Sequence, residues 1–100
     1  MRKITIVGTG YVGLVSGGGI SEFGHHVTCT DIDQNKINQL KSGEIPIYEP
    51  GLASLVKRNV RNGRLHFSSD VPQAIRNANV IFIAVGTPQG NNGEADLEAV

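Results

Sequence analysis

The chain has no tryptophan, one cysteine, four prolines and only five aromatic residues among its 100 amino acids. Each scarcity excludes something. The lone cysteine, Cys29, cannot close an internal disulfide, so a stapled secreted scaffold is excluded and a reducing, cytoplasmic setting is expected. No apolar run approaches the roughly 20 residues needed to span a bilayer. The short apolar stretch after Arg2 and Lys3 meets glycine at once, which makes a poor signal peptide. Charge of one sign is lacking too. Nine basic residues balance nine acidic ones, which argues against nucleic acid or an anionic membrane as the main partner.

With 39% hydrophobic residues the chain is too apolar to stay disordered, and its length suits one modest core rather than two domains. Thirteen glycines are about twice the usual share, and their placement is informative.

The pattern alternates. Residues 3–7 (KITIV) are β-branched, stop at Gly8 and predict a strand. Residues 11–23 predict a helix ended by Gly24, and residues 26–31 (HVTCTD) a second strand. Asp33 is placed to cap a helix over residues 34–41, with Ile37 and Leu40 as its apolar stripe and Gly43 after it. An irregular stretch, EIPIYEPG, leads into a helix over residues 52–60, with Leu52, Leu55, Val56 and Val60 on one face and Glu49 as a candidate cap. Residues 64–68 predict a third strand. Asp70 then caps a short helix holding Val71, Ala74, Ile75 and Ala78. Residues 80–85 (VIFIAV) are apolar without alternation, as expected of a strand covered on both faces. A polar loop over 86–93 and the start of a helix over 95–100 follow. Strands alternating with helices predict an α/β parallel sheet.

Gly8-Thr9-Gly10-Tyr11-Val12-Gly13 matches G-x-G-x-x-G. Alone the pattern is weak. Here it follows a predicted strand, opens a predicted helix and is joined by Asp31, which ends the next strand 31 − 13 = 18 residues after the last motif glycine. Gly8 turns the chain out of the strand, Gly10 leaves room for a pyrophosphate, and Gly13 lets helix and strand pack closely. The helix N-terminus offers free amides and a positive dipole to phosphate. Asp31 accepts from the adenosine ribose hydroxyls and disfavours a 2′-phosphate, so NAD is expected rather than NADP, although Lys36 stands near. The pattern predicts a Rossmann-type doubly wound sheet of order 3-2-1-4, with Val85-Gly86-Thr87-Pro88 at the carboxyl edge of the fourth strand and the Thr87 hydroxyl near the cofactor. Residues 1–100 are then the N-terminal part of a dinucleotide-binding domain.

KITIVGTGYVGLVSG, VTCTDID, GEIPIYEPGL and IFIAVGTPQ followed by ADL together resemble the UDP-glucose/GDP-mannose dehydrogenase family over essentially the whole chain. The resemblance implies oxidation of the C6 alcohol of a nucleotide sugar to a carboxylate with two NAD in succession, through a thiohemiacetal and then a thioester on an active-site cysteine. It implies UDP-glucose as the sugar, with GDP-mannose or a UDP-N-acetyl sugar as alternatives. A module that binds NAD without chemistry is the reading from another class. The resemblance further implies that the glycine turn and Val12 lie along the pyrophosphate, that Asp31 holds the ribose and that Lys36 sits at the adenosine end. Thr87 would line the nicotinamide side, and Tyr11 would sit where cofactor meets sugar. The family's nucleophilic cysteine, catalytic lysine and asparagine, and substrate domain fall beyond residue 100. No catalytic residue is therefore expected in this chain, and the whole protein is expected to be a homo-oligomer.

Cys29, inside a predicted strand, reads as a buried structural thiol. His25, His26 and His66 have no metal-ligand spacing, and no metal is expected. Lys57, Arg58, Arg61 and Arg64 read as a solvated basic face at a helix C-terminus. The triplet Gly17-Gly18-Gly19 weakens the first helix by about 1 kcal/mol per glycine, unless close packing requires it.

Overall fold

A computed structural model describes residues 2–45 and 49–85. Its elements are β1 (Lys3–Val7), α1 (Tyr11–Glu22), β2 (His26–Thr30), α2 (Gln34–Lys41), α3 (Leu52–Arg61), β3 (Leu65–Ser68), α4 (Val71–Arg76) and β4 (Val80–Ile83). The four strands form one sheet in the order β3-β2-β1-β4, and every pair is parallel. This is the expected doubly wound α/β arrangement, with the crossover direction reversing at β1.

Register explains the core. Ile4, Val27 and Leu65 align across three strands, as do Ile6, Cys29 and Phe67. Alternation puts both rows on one side of the sheet, where they join Leu14, Ile37, Leu40, Leu52 and Val56 in a continuous cluster. Ile6, Val27, Leu65 and Leu14 are essentially inaccessible to water, each stabilising the fold by roughly 1.5–3 kcal/mol.

The glycine triplet is explained in part. A Cβ on Gly17 would come within 2.6 Å of the Cys29 sulfur, and one on Gly18 within 2.8 Å of Leu55 Cδ2, whereas one on Gly19 would meet nothing. Two of the three therefore let α1 lie close against β2 and α3. Burial pushes the Cys29 thiol up to about 12, as befits a small core residue.

Helix ends follow side-chain chemistry. The Asp33 carboxylate accepts from the amides of Asn35 and Lys36, and Asp70 from that of Gln73. The cap expected of Glu49 is not made. Gly51 occupies the α3 N-cap position without a side-chain bond, and the Glu49 carboxylate turns instead to Tyr11. The α3 stripe also differs from expectation. Leu52 and Val56 are buried, but Val60 is 41% exposed and Asn59 takes the inward position. Asn59 can do so because its amide donates to Glu22 Oε1 (2.9 Å) and the Leu55 carbonyl (3.0 Å). The basic run is only partly a free face. Arg58 pairs with Glu22 at 3.2 Å, and Arg64 Nε donates to the Ser21 carbonyl at 3.0 Å.

On the other side of the sheet Thr5 donates from its hydroxyl to the Ala74 carbonyl of α4 at 2.7 Å. Beside it lies a hollow of about 490 Å³ lined by Lys3, Thr28, His66 and Gln73, among others, and by no residue of the glycine bend. The expectation that the fourth strand is covered on both faces is overturned for the described residues. Ile81, Phe82 and Ile83 of β4 are 42%, 47% and 67% exposed. Among the described residues β4 is the sheet edge, paired only with β1, and α4 packs mainly against β1 and β2. Strand pattern is satisfied only where flanking layers exist to cover it. Ala78, expected in the fourth helix, lies beyond its end at Arg76.

Candidate functional site

The site begins where β1 must stop. Gly8 has φ +115°, a region a side chain rarely tolerates, and a Cβ there would lie 2.6 Å from the Ala84 carbonyl oxygen. Its amide donates to the Thr30 carbonyl at 2.7 Å, tying the bend to the end of β2. Gly13 faces the Gly8 carbonyl so closely that a Cβ would collide with it. That contact seats the first turn of α1 directly on the end of β1. Gly10, the N-cap, is the contrary case: a Cβ there would meet no atom within 4 Å. The bend therefore leaves open space at Gly10 while Gly8 and Gly13 are demanded by packing.

The first turn of α1 holds no acidic residue, and its N-cap supplies no side chain. Among the described residues the amides of Tyr11, Val12 and Gly13 find no hydrogen-bond partner. A helix end with free amides, a positive dipole and open space in front suits an anionic group.

Asp31 stands immediately after β2 and reaches across to the bend. Its Oδ2 accepts from the Thr9 hydroxyl at 2.7 Å and from the Thr9 amide at 3.3 Å. Its Oδ1 accepts from the Asp33 amide at 3.0 Å. Lys36 Nζ, half-exposed, lies 4.0 Å from Oδ2. Partial burial pushes the carboxyl upward, but the Asp33 amide, the two Thr9 donors and the Lys36 charge outweigh it. The group is held below the ordinary aspartate range. It is a carboxylate at any pH near neutrality.

The structure thus gathers Gly8, Gly10, Gly13, Asp31 and Lys36 around one bend. Val12 projects from the first turn with 61% of its surface exposed. Tyr11, also exposed, points elsewhere. Its hydroxyl donates to Glu49 Oε1 at 2.7 Å, a bond that raises the phenol above its usual value, and the pair borders a groove of about 400 Å³ with Val15, Leu52 and Leu55. Thr87 lies outside the described residues, as do the loop over 86–93 and the start of a helix over 95–100. β4 nevertheless ends beside the bend, where the Ala84 amide donates to the Val7 carbonyl at 2.7 Å. Thr9 escaped the sequence reading. The variable position of a glycine motif carries no signal of its own, and its 3% exposure is set only by the fold.

These residues fit a dinucleotide. The open space at Gly10 and the unpaired first-turn amides match a pyrophosphate, and a fixed carboxylate at the neighbouring strand tip matches a ribose diol. No described helix is long and apolar enough to cross a membrane, and no metal-binding cluster occurs among the described residues.

Comparison with known proteins agrees with this geometry. A UDP-glucose 6-dehydrogenase of Bacillus subtilis is 59% identical over 100 residues, covering all of this chain and 22% of that protein. The solved UDP-glucose dehydrogenase of Pyrobaculum islandicum superposes with a TM-score of 0.87 at 38% identity, over 97% of this chain and 22% of that one. The GDP-mannose dehydrogenase of Pseudomonas aeruginosa gives 0.86 at 42% identity, over 99% and 22%. The chain therefore spans about a fifth of the length of these relatives. The family model for the NAD binding domain matches residues 2–100. With the glycine bend, its open phosphate seat and the acid beside it, this match makes the chain a member of the UDP-glucose/GDP-mannose dehydrogenase family, within its NAD binding domain.

Proposed function

We propose that the protein bearing this chain oxidises the C6 alcohol of UDP-glucose to the carboxylate, using two NAD in succession, and that this chain holds the adenosine diphosphate half of the cofactor. One observation carries the cofactor half of the reading: the Asp31 carboxylate is fixed against the glycine bend by Thr9. The first-turn amides at Tyr11, Val12 and Gly13 receive the pyrophosphate, in the space left open at Gly10 and allowed by Gly8. Asp31 accepts from the ribose hydroxyls, and its charge repels a 2′-phosphate. Lys36 flanks the adenosine end. Thr87 lines the nicotinamide side. Tyr11, its hydroxyl turned to Glu49, sits near the junction of cofactor and sugar. NAD supplies the hydride acceptor, and this chain contributes binding and orientation rather than a catalytic group.

The identity of the most similar relative named above favours UDP-glucose. The GDP-mannose enzyme, at lower identity, supports the alternative sugar, and a UDP-N-acetyl sugar is a further alternative. The same reading takes the whole protein as a cytoplasmic homo-oligomer with neither nucleic acid nor membrane as partner. The balanced charge supports the absence of those partners, and the single thiol the reducing setting.

Replacing Asp31 by Ala removes charge-assisted bonds worth roughly 1.5–3 kcal/mol, so NAD affinity falls about 10- to 100-fold. Calorimetric titration of parent and variant checks this, and equal affinities refute the site. A panel of nucleotide sugars followed by NADH absorbance on the whole protein then identifies the substrate.

A further inference from the structure

We propose that Thr9 is a positioning residue for the cofactor, its buried hydroxyl orienting Asp31 so that one carboxylate oxygen keeps an accepting site open for the adenosine ribose. This rests on the NAD reading above. Thr9 is 3% exposed, and its hydroxyl donates to Asp31 Oδ2 at 2.7 Å while its amide donates to the same oxygen at 3.3 Å. A β-branched side chain has few rotamers, and burial leaves this one little room to leave its acceptor.

The distribution of donors is uneven. A carboxylate has about four acceptor sites. Oδ2 takes both Thr9 donors, with Lys36 Nζ a further 4.0 Å neighbour. Oδ1 takes one, the Asp33 amide at 3.0 Å. The remaining accepting capacity is therefore concentrated on Oδ1, the oxygen suited to a sugar hydroxyl. Without the Thr9 hydroxyl only the longer Thr9 amide bond and the Asp33 amide hold the carboxylate, which turns more easily and spreads its capacity over both oxygens. Thr9 also lies between Gly8 and Gly10, so the same residue links the phosphate seat to the ribose acid.

A merely structural threonine would weaken every ligand alike when replaced. A positioning threonine affects the ribose hydroxyl selectively. The test is calorimetry on the whole protein with two probes, NAD and its 2′-deoxyadenosine analogue. The parent binds NAD more tightly than the analogue. In Thr9→Val, NAD affinity falls about tenfold and the analogue's changes by less than about twofold, so the preference collapses. Thr9→Ser restores both to within about twofold of the parent. Parallel weakening of both probes, or no weakening of either, overturns the proposal. Should Thr9→Val not fold by circular dichroism, Thr9→Ala against Thr9→Ser decides by the same criterion. If the parent itself fails to prefer NAD over the analogue, the ribose role of Asp31 fails, which is a different failure from that of Thr9.

Discussion

At the scale of single residues, Asp31 makes its own state testable. Its carboxyl titrates below the ordinary aspartate range in the folded chain, because the Asp33 and Thr9 donors outweigh its partial burial. A depressed folded value means stabilisation that is present above the unfolded pKa of about 4 and lost as pH falls through the folded one. Parent and Asp31→Asn are therefore expected to differ in urea midpoint at pH 7, with the gap closing below about pH 4. A gap that persists unchanged in acid would contradict the charge-based account. Asp31 itself was legible from its spacing to the glycine motif. Thr9, which holds it, was not, because only the tertiary approach of β2 to the bend makes its hydroxyl meaningful.

Among the elements, α1 carries the sharpest contrast. Three consecutive glycines look equivalent in sequence, yet they face different neighbours. Gly17→Ala drives a methyl against the Cys29 sulfur and is expected to destabilise by about 1–2 kcal/mol, net of the helix-propensity gain. Gly19→Ala meets open space and is expected to stabilise by up to about 1 kcal/mol. Chemical denaturation of the two variants beside the parent measures both signs. The caps of α2 and α4 were readable because Asp33 and Asp70 act on amides two or three residues away. The cap of α3 was not, although its start at Leu52 was. Glu49 is drawn off by the Tyr11 hydroxyl, a partner 38 residues distant. Asn59 replaced Val60 on the inner face for a like reason, since Glu22 from α1 satisfies its amide.

For the whole molecule, the consequence lies at the sheet edge. Ile81, Phe82, Ile83 and Val85 are exposed in and just after a strand that, among the described residues, pairs on one side only. Unpaired apolar edges invite association. The 100-residue chain is expected to scatter light in a concentration-dependent manner, and Ile83→Lys, 67% exposed in the parent, to reduce that association without lowering stability by more than about 0.5 kcal/mol. A parent that stays monomeric at high concentration would refute this.

The sequence by itself determined the order of elements, the parallel sheet, the glycine bend and the acid at the tip of β2. Those follow from local periodicity, turn chemistry and a fixed spacing along the chain. Only the tertiary structure decided which glycines are needed for packing, which hydroxyl holds the acid, where Glu49 points and how far β4 is covered. Each of these depends on groups brought together from distant parts of the chain, and distance along a sequence does not encode that meeting.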